Sequence, residues 1–394
     1  MPTTRVAWLN PDGSGGALDE SRRVLNLPGG LPGDVVTWTT VDGHARIDAV
    51  VEPSPDRVTP ACPIDAHCGG CDLSALAPAA RRAALAHMIG RAWNLPAAPE
   101  VEAPAAERGR RARVELAIAD GVVGYRAARS HRLIDVDACG IARLELNDLL
   151  AHLRAVIAAR PGLPTDRVSL RTDGEKAVAA FQSTRRWSAE DVDATAVLGH
   201  VAVDHKRVHG DPSLRLPVLG LRLRAGPEAF FQVDLDLNER LVAFVRDAIT
   251  AVRAERVLDL YAGIGNLGLP IAAGGVPVLA VEVDGSALHD LRATAADHGL
   301  TSMKVLAMDA RKFDPSREAF DAAILDPPRA GAGDVLIRVL RNRPRRVVLV
   351  SCDALAGSRD VRAAQKLGYR VTAVRCFDLF ADSHHMETVT VLDR

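Results

Sequence analysis

The chain has 394 residues, 48% of them hydrophobic and 25% charged, with a formal net charge of −1. That size and balance imply two or three domains with buried cores, and the near-neutral total gives no global electrostatic argument for a polyanion partner. No apolar run reaches the ~18 residues a membrane span needs, and MPTTRVAWLNPDGSGG lacks the basic-then-apolar order of a secretory signal, so a cytoplasmic location is expected.

In chain order, residues 1–55 read as short strands (RVAWL, RVLNL, DVVTWTTV, ARIDAVV) separated by the turn signals PDGSGG, PGGLPG and DG. This pattern predicts a small all-β barrel of the OB type. A proline-rich junction, EPSPDRVTPACP, leads to three cysteines within ten residues and then to a helical stretch, LSALAPAARRAALAHMIGRAW. Residues 56–235 are expected to form a central α+β domain, with strands at RARVELAIA and GVVGYRA and a helix near LNDLLAHLRAVIAA. Seven arginines stand against Glu115 and Asp120 between residues 108 and 132, and RNRPRR at 341–346 is a second basic cluster. Each is either a solvated face or a phosphate contact, since phosphate binding depends on local charge.

From about residue 236 the pattern changes. A helix (LNERLVAFVRDAITAV) precedes the strands RVLDL, VPVLAVEV, MKVLAM, FDAAIL, RRVVLVS and YRVTAVRCF, with helical segments between most of them. That alternation predicts a mainly parallel sheet with helices on both faces, whose ligands gather at the C-terminal strand ends. The expected division is therefore 1–55, 56–235 and 236–394, the last an α/β, Rossmann-like domain.

The chemistry-bearing residues sit near those strand ends. VLDLYAGIGNLGLP is a strand, a turn with Gly263 and Gly265, and a helix start, without the third glycine of a dinucleotide fingerprint. Glu282 ends the next strand and can accept both hydroxyls of a ribose; Asp309 ends the third and can accept from an adenine amino group. The ordered trio fits S-adenosylmethionine. LDPPRAG places Asp326 before a proline-stiffened loop, and Arg329 stands where an aromatic would suit amine methylation. VVLVSCD ends in Cys352, and Glu387 follows 35 residues later in HHMET. A thiolate that adds to C6 of uracil makes C5 nucleophilic, and a carboxylate can then remove the C5 proton. Cys376, inside AVRCF, reads as a buried core thiol.

The remaining cysteines are 62, 68, 71 and 139. Disulfides are not expected in this compartment, and four thiols can hold zinc or an iron–sulfur cluster.

With these segments in hand the chain resembles the RNA 5-methyluridine (uracil-C5) methyltransferases over nearly its whole length, on FFQVD, DLYAGIGNLGLP, LDPPRAG, VSCD and HHMET. GGLPGDVV followed by PSPDRVTPACP resembles that family's TRAM domain. The resemblance implies donor contacts at Gln232, Tyr261, Asn266, Glu282, Asp309 and Asp326, with Cys352 as nucleophile and Glu387 as base. It further implies a [4Fe-4S] cluster on Cys62, Cys68, Cys71 and Cys139. The expected partner is RNA, held as a monomer away from any membrane. The expected substrate is a uridine of 23S rRNA, with a tRNA T-loop uridine or a noncatalytic RNA-binding role as alternatives. The sequence departs from the family pattern at Asp234, Tyr261, Asp353, Ala354 and Ala381.

Overall fold

The computed structural model describes residues 1–128 and 130–394; Arg129, one of the seven clustered arginines, lies outside them. The first segment forms two three-stranded sheets. One contains Thr3–Arg5, Val35–Val41 and His44–Glu52; the other contains Trp8–Leu9, Gly15–Leu18 and Val24–Leu27. The sequence reading made RVAWL one strand and PDGSGG all turn. Instead RVAWL divides between the two sheets, and Gly15 and Gly16 lie in a strand, packed so closely that a side chain at either would strike Gly30 or Trp8. Val6, Ala17, Leu25, Leu27 and Val36 fill the small core. Buried Asp34 receives hydrogen bonds from Arg57 Nε (2.7 Å), Leu31 N (2.8 Å) and Ser54 N (2.9 Å), which closes this module against the proline-rich junction.

The central region is a seven-stranded sheet with Arg113–Ala119 and Thr165–Thr172 in its middle. Its strands alternate, Val114, Leu116 and Ile118 pointing to one face and Arg113 and Glu115 to the other. The apolar face packs on Leu146, Leu149, Leu150 and Leu153 of the helix Leu144–Ala159, the period-2 against period-3.6 match that builds such a layer.

The C-terminal sheet has eight strands. Met303–Ala307, Val278–Glu282, Val257–Leu260, Ala322–Leu325 and Arg346–Ser351 are parallel neighbours. Glu387–Asp393 is antiparallel to both Arg346–Ser351 and Arg370–Phe377, and Glu100–Glu102 adds a parallel edge. The Glu387–Asp393 strand was absent from the sequence reading, although the alternating β-branched residues of ETVTVLD carry a strand signal. One sheet face packs on the helix Leu235–Ala251 and on the hairpin Leu214–Val218/Leu221–Ala225. The other receives the helix Pro78–Ala92, whose Leu85 and Ile89 are fully buried with Trp93 against Leu258 and Leu349. The cysteine-bearing segment therefore continues into a helix that covers the C-terminal sheet.

Candidate active site and cysteine cavity

The donor side begins where the strand Val257–Leu260 turns over its glycines. Tyr261, Gly263 and Gly265 all have positive φ (62°, 55° and 90°). Glycine adopts that region without strain, whereas Tyr261 is held in it. A side chain on Gly265 would meet Leu269 at 2.5 Å, so this glycine is also required by close packing. Glu282 closes the turn from the neighbouring strand. Its carboxylate accepts from the backbone N–H of Gly263 (2.8 Å), Val283 (2.7 Å) and Asp284 (2.8 Å), which fixes it in place before any ligand arrives.

Other donor-side residues are engaged in ways their sequence positions did not reveal. Asp309 lies two residues beyond its strand and is clasped by Arg311, with Nε at 3.0 Å and Nη2 at 2.6 Å. The guanidinium and the Arg311 N–H hold the carboxyl down to about 2. Asn266 exchanges two amide hydrogen bonds with Asn238 (2.9 and 2.8 Å). Gln232 is buried just ahead of the helix Leu235–Ala251. Asp259 is the penultimate residue of the strand Val257–Leu260 and is fully buried, with one carboxyl oxygen unpartnered. Burial and the neighbouring Asp326 and Glu282 push it up to about 8.

The reacting side is organised by two adjacent antiparallel strands. Ser351 pairs with Thr388 across the ladder, and Thr388 Oγ1 donates to Ser351 O (2.9 Å). Cys352 and Glu387 thus lie at the same end of strands about 5 Å apart. Asp353 follows and caps the helix Ala354–Lys366 by accepting from Ala356 N (2.8 Å). An aspartate does this as well as the family's asparagine. Asp234, the other such departure, caps Leu235–Ala251 and also pairs with buried Arg110 at 2.5 Å.

Charge at this end is dominated by acids in a dry setting. Burial, then Glu387 and Asp326, push the Cys352 thiol up to about 11, while Arg329 draws it down. Burial and Asp326 also raise Glu387 well above the ordinary carboxylate range, and Arg329 opposes them. Burial lifts Asp326 to about 7. These are the conditions under which a carboxylate becomes a stronger base and a thiol keeps its proton until something removes it. Pro11 from the first module and Met88 and Ile89 from the helix Pro78–Ala92 stand with Cys352 and His385 around a small recess. All three regions of the chain therefore meet at Cys352.

The loop before Glu387 is tied down by residues the sequence reading passed over. Fully buried Arg81 pairs with Asp378 (2.8 Å) and Asp382 (2.5 Å). Asp72 accepts from His384 N (2.9 Å), and Leu73 N donates to Asp382 O (3.0 Å). Nothing in the local sequence marks these pairs, which join positions some 300 residues apart.

Cys62, Cys68, Cys71 and Cys139 line one cavity of about 330 Å³, together with Tyr125 and Asp382. Among the described residues no three His, Cys, Asp or Glu groups converge closely enough to hold a single metal ion. Burial pushes Cys71 up to about 12, with Asp382 and the other thiols adding to it. Arg108, Arg111 and Arg113 share the cavity wall, and Asp65 presents a buried oxygen without a hydrogen-bond partner. Cys376 is a buried core thiol.

The basic clusters divide. Arg110 is consumed by Asp234, and Arg108 approaches Asp382 at 3.7 Å. Arg345 and Arg346 pair with Asp321 and Asp393 at the opposite ends of the strands from the site. Among the described residues no helix is long and apolar enough to cross a membrane.

Comparison with known proteins gives a consistent result. The family model for tRNA (uracil-5-)-methyltransferase matches residues 200–394. The 23S rRNA (uracil(1939)-C(5))-methyltransferase RlmD of Pectobacterium atrosepticum is 30% identical, over 99% of this chain and 93% of the relative. RlmD of Marinomonas posidonica is 29% identical, over 100% and 95%. Among solved structures, the tRNA (uracil-54, C5)-methyltransferase of Pyrococcus abyssi with S-adenosyl-L-homocysteine superposes with a TM-score of 0.79. That match covers 99% of this chain and 100% of that one at 22% identity, a likeness of fold.

Proposed function

The chain belongs to the RNA uracil-C5-methyltransferase family, and from that premise we propose that it methylates C5 of one uridine in 23S rRNA, with Cys352 as nucleophile and Glu387 as base. The observation that carries the reading is the ladder pair Ser351–Thr388, which brings a thiol and a buried carboxyl to one place beside the donor turn. Full-length similarity to the RlmD enzymes favours ribosomal RNA over tRNA.

S-adenosylmethionine would be held by Glu282 on its ribose, with Gln232, Tyr261, Gly263, Gly265, Asn266, Asp309 and Asp326 around it; when bound it supplies an electrophilic methyl group. The Cys352 thiolate adds to C6 of the uracil, and the C5–C6 π pair moves onto C5 and O4. C5 takes the methyl as the sulfonium S–CH3 bond breaks, its electron pair staying on sulfur in the neutral thioether that leaves. Glu387 accepts the C5 proton, the C5–C6 double bond re-forms, and the C6–S bond breaks to return the thiolate. Target uracil must leave its stack to reach Cys352.

The four cavity cysteines fit a [4Fe-4S] cluster better than zinc. A single zinc needs its sulfurs within about 2.3 Å of one point, whereas these thiols surround a volume, and nearby arginines balance their charge when ionised. The cluster would hold the 62–71 segment to Cys139, with no electron transfer in the reaction. In the same reading residues 1–55 are an OB-type, TRAM-like barrel, 56–235 an RNA-binding domain and 236–394 the methyltransferase domain. The protein acts as a monomer in the cytoplasm.

The test is nucleoside mass spectrometry of 5-methyluridine in rRNA and tRNA, purified separately from a deletion strain and its parent. Loss from 23S rRNA alone is expected. Loss from tRNA alone replaces the substrate. An unchanged phenotype on replacement by Cys352→Ala would instead indicate a noncatalytic RNA-binding role.

A further inference from the structure

The face of the central sheet turned away from the helix Leu144–Ala159 carries an unbalanced set of charges. Arg113 lies directly across the ladder from Arg171, and Glu115 from Ser169; on the other side Arg167 faces Gln182. Like charges opposed on a ladder are unfavourable unless something bridges them. Here a polar cavity of about 110 Å³ opens over Arg113, Arg167 and Arg171, with Glu115, Ser169, Gln182 and Glu228 on its walls, so three cations face two carboxylates.

None of the three arginines makes an ion pair among the described residues, whereas about half of the other arginines do. Glu228 is already engaged by His205 at 3.1 Å. Arg171 is the sharpest case. It is 1% exposed, its Nη1 and Nη2 donate only to the carbonyls of Gly226 (2.8 Å) and Ala229, and its buried Nε has no partner. Burial, then the charge of Arg113, draws its pKa down to about 9. Glu228, Asp290 and Glu115 act on Arg171 only from beyond ion-pair contact; a buried guanidinium so placed is costly, and an anion reaching the cavity relieves that cost.

The position indicates which anion. Arg113 stacks at 4.8 Å on Phe230, a 60%-exposed aromatic, and Arg171 stacks at 4.8 Å on Phe231. Those rings immediately precede Gln232, so the cavity adjoins the segment that carries a proposed donor contact, where the methyl group must meet the uridine. We propose that this open sheet face is a phosphodiester subsite that grips the substrate strand close to the target uridine, with Arg113 and Arg167 as phosphate donors and Arg171 as the buried charge behind them. This rests on the RNA-methylating function proposed above. Such contacts fix the register of a strand without reading its sequence.

Arg167 is exposed and makes no ion pair, so Arg167→Gln tests the subsite without disturbing the core. Binding of a 23S rRNA fragment that the wild-type protein methylates is measured across a salt series for wild type, Arg167→Gln, Arg113→Gln/Arg167→Gln and Arg167→Lys. Each lost phosphate contact should flatten the log–log salt slope by about 0.7 on single-stranded RNA, with Arg167→Lys largely restoring it. A scan of single methylphosphonate linkages should find one or two positions beside the target that weaken wild-type binding and leave the double variant unaffected. Wild-type slope and linkage profile in the double variant would overturn the subsite while methylation continued. Absence of methyl transfer by the wild-type protein would overturn the function beneath it.

Discussion

The donor turn and the cysteine cavity are both assembled from loops at the ends of regular elements, yet they hold their shape by different means. Glu282 is fixed by three backbone N–H groups that belong to the sheet and the turn themselves. The four cavity thiols hang on segments with little regular structure, and several of them and their neighbours repel one another when ionised. The donor site is therefore organised before its ligand arrives. In the reading proposed above, the cysteine site depends on its cluster to hold its parts together.

The most severe way to break this comparison is at the reacting end, where organisation and chemistry are inseparable. Cys352→Ala should lower methyl transfer by at least ~10⁴-fold with unchanged S-adenosylhomocysteine affinity by calorimetry. Glu387→Gln should slow turnover by about 10²–10⁴-fold and accumulate a protein–RNA adduct that survives denaturing electrophoresis, because the C5 proton then has no acceptor. A variant that turns over without adduct would contradict the assignment.

Glu282→Ala addresses the donor site directly. It removes a ribose acceptor and also the anchor of three backbone groups, so donor affinity should fall by about 10²-fold while RNA binding persists. Cys139→Ser probes the other half of the contrast. It should abolish the iron-dependent visible absorption and expose residues 62–77 to proteolysis, while changing S-adenosylhomocysteine affinity less than threefold. Equal loss of donor binding would show that the two sites are not organised independently.

The smallest effect is a shift in pH. Cys352 reacts as its thiolate, and its thiol is raised to about 11. Its alkylation rate, followed by peptide mass spectrometry, should therefore climb about tenfold per pH unit from pH 7 to 10 without a plateau. Arg329 opposes that elevation. Arg329→Gln should slow alkylation further at every pH in that range, by a few-fold.

What could be read from sequence follows the same contrast. Carboxylates at successive strand ends, glycines in the turn and a thiol after an apolar strand are local signals, and they locate the donor and reacting residues. Partnerships formed by the fold are not local. The amide exchange between Asn238 and Asn266 and the burial of Asp259 inside its strand depend on elements brought together from afar. Charge density is only a partial guide for the same reason, since Arg113 of the arginine-rich run lines the open cavity and its neighbour Arg110 does not. Arg110 belongs to an arginine-rich run but is spent on Asp234, while Arg167 and Arg171, outside that run, face an open cavity. The Asp72 and Asp382 contacts that tie the cysteine segment to the loop before the base have no counterpart in any motif.

The rung between Ser351 and Thr388 also governs how the protein can change length. The chain leaves the sheet after Ser351, makes an excursion through one helix and one strand, and returns to the very place it left. Residues added at the exposed Leu367–Gly368 corner of that excursion lengthen the detour without separating the thiol from the carboxylate. Removing a single residue within Glu387–Asp393 acts differently, because strand side chains alternate faces and the carboxylate would be turned to the far side of the sheet. Inheritance and engineering alike are thus free to vary the size of the loop but not the parity of the strand.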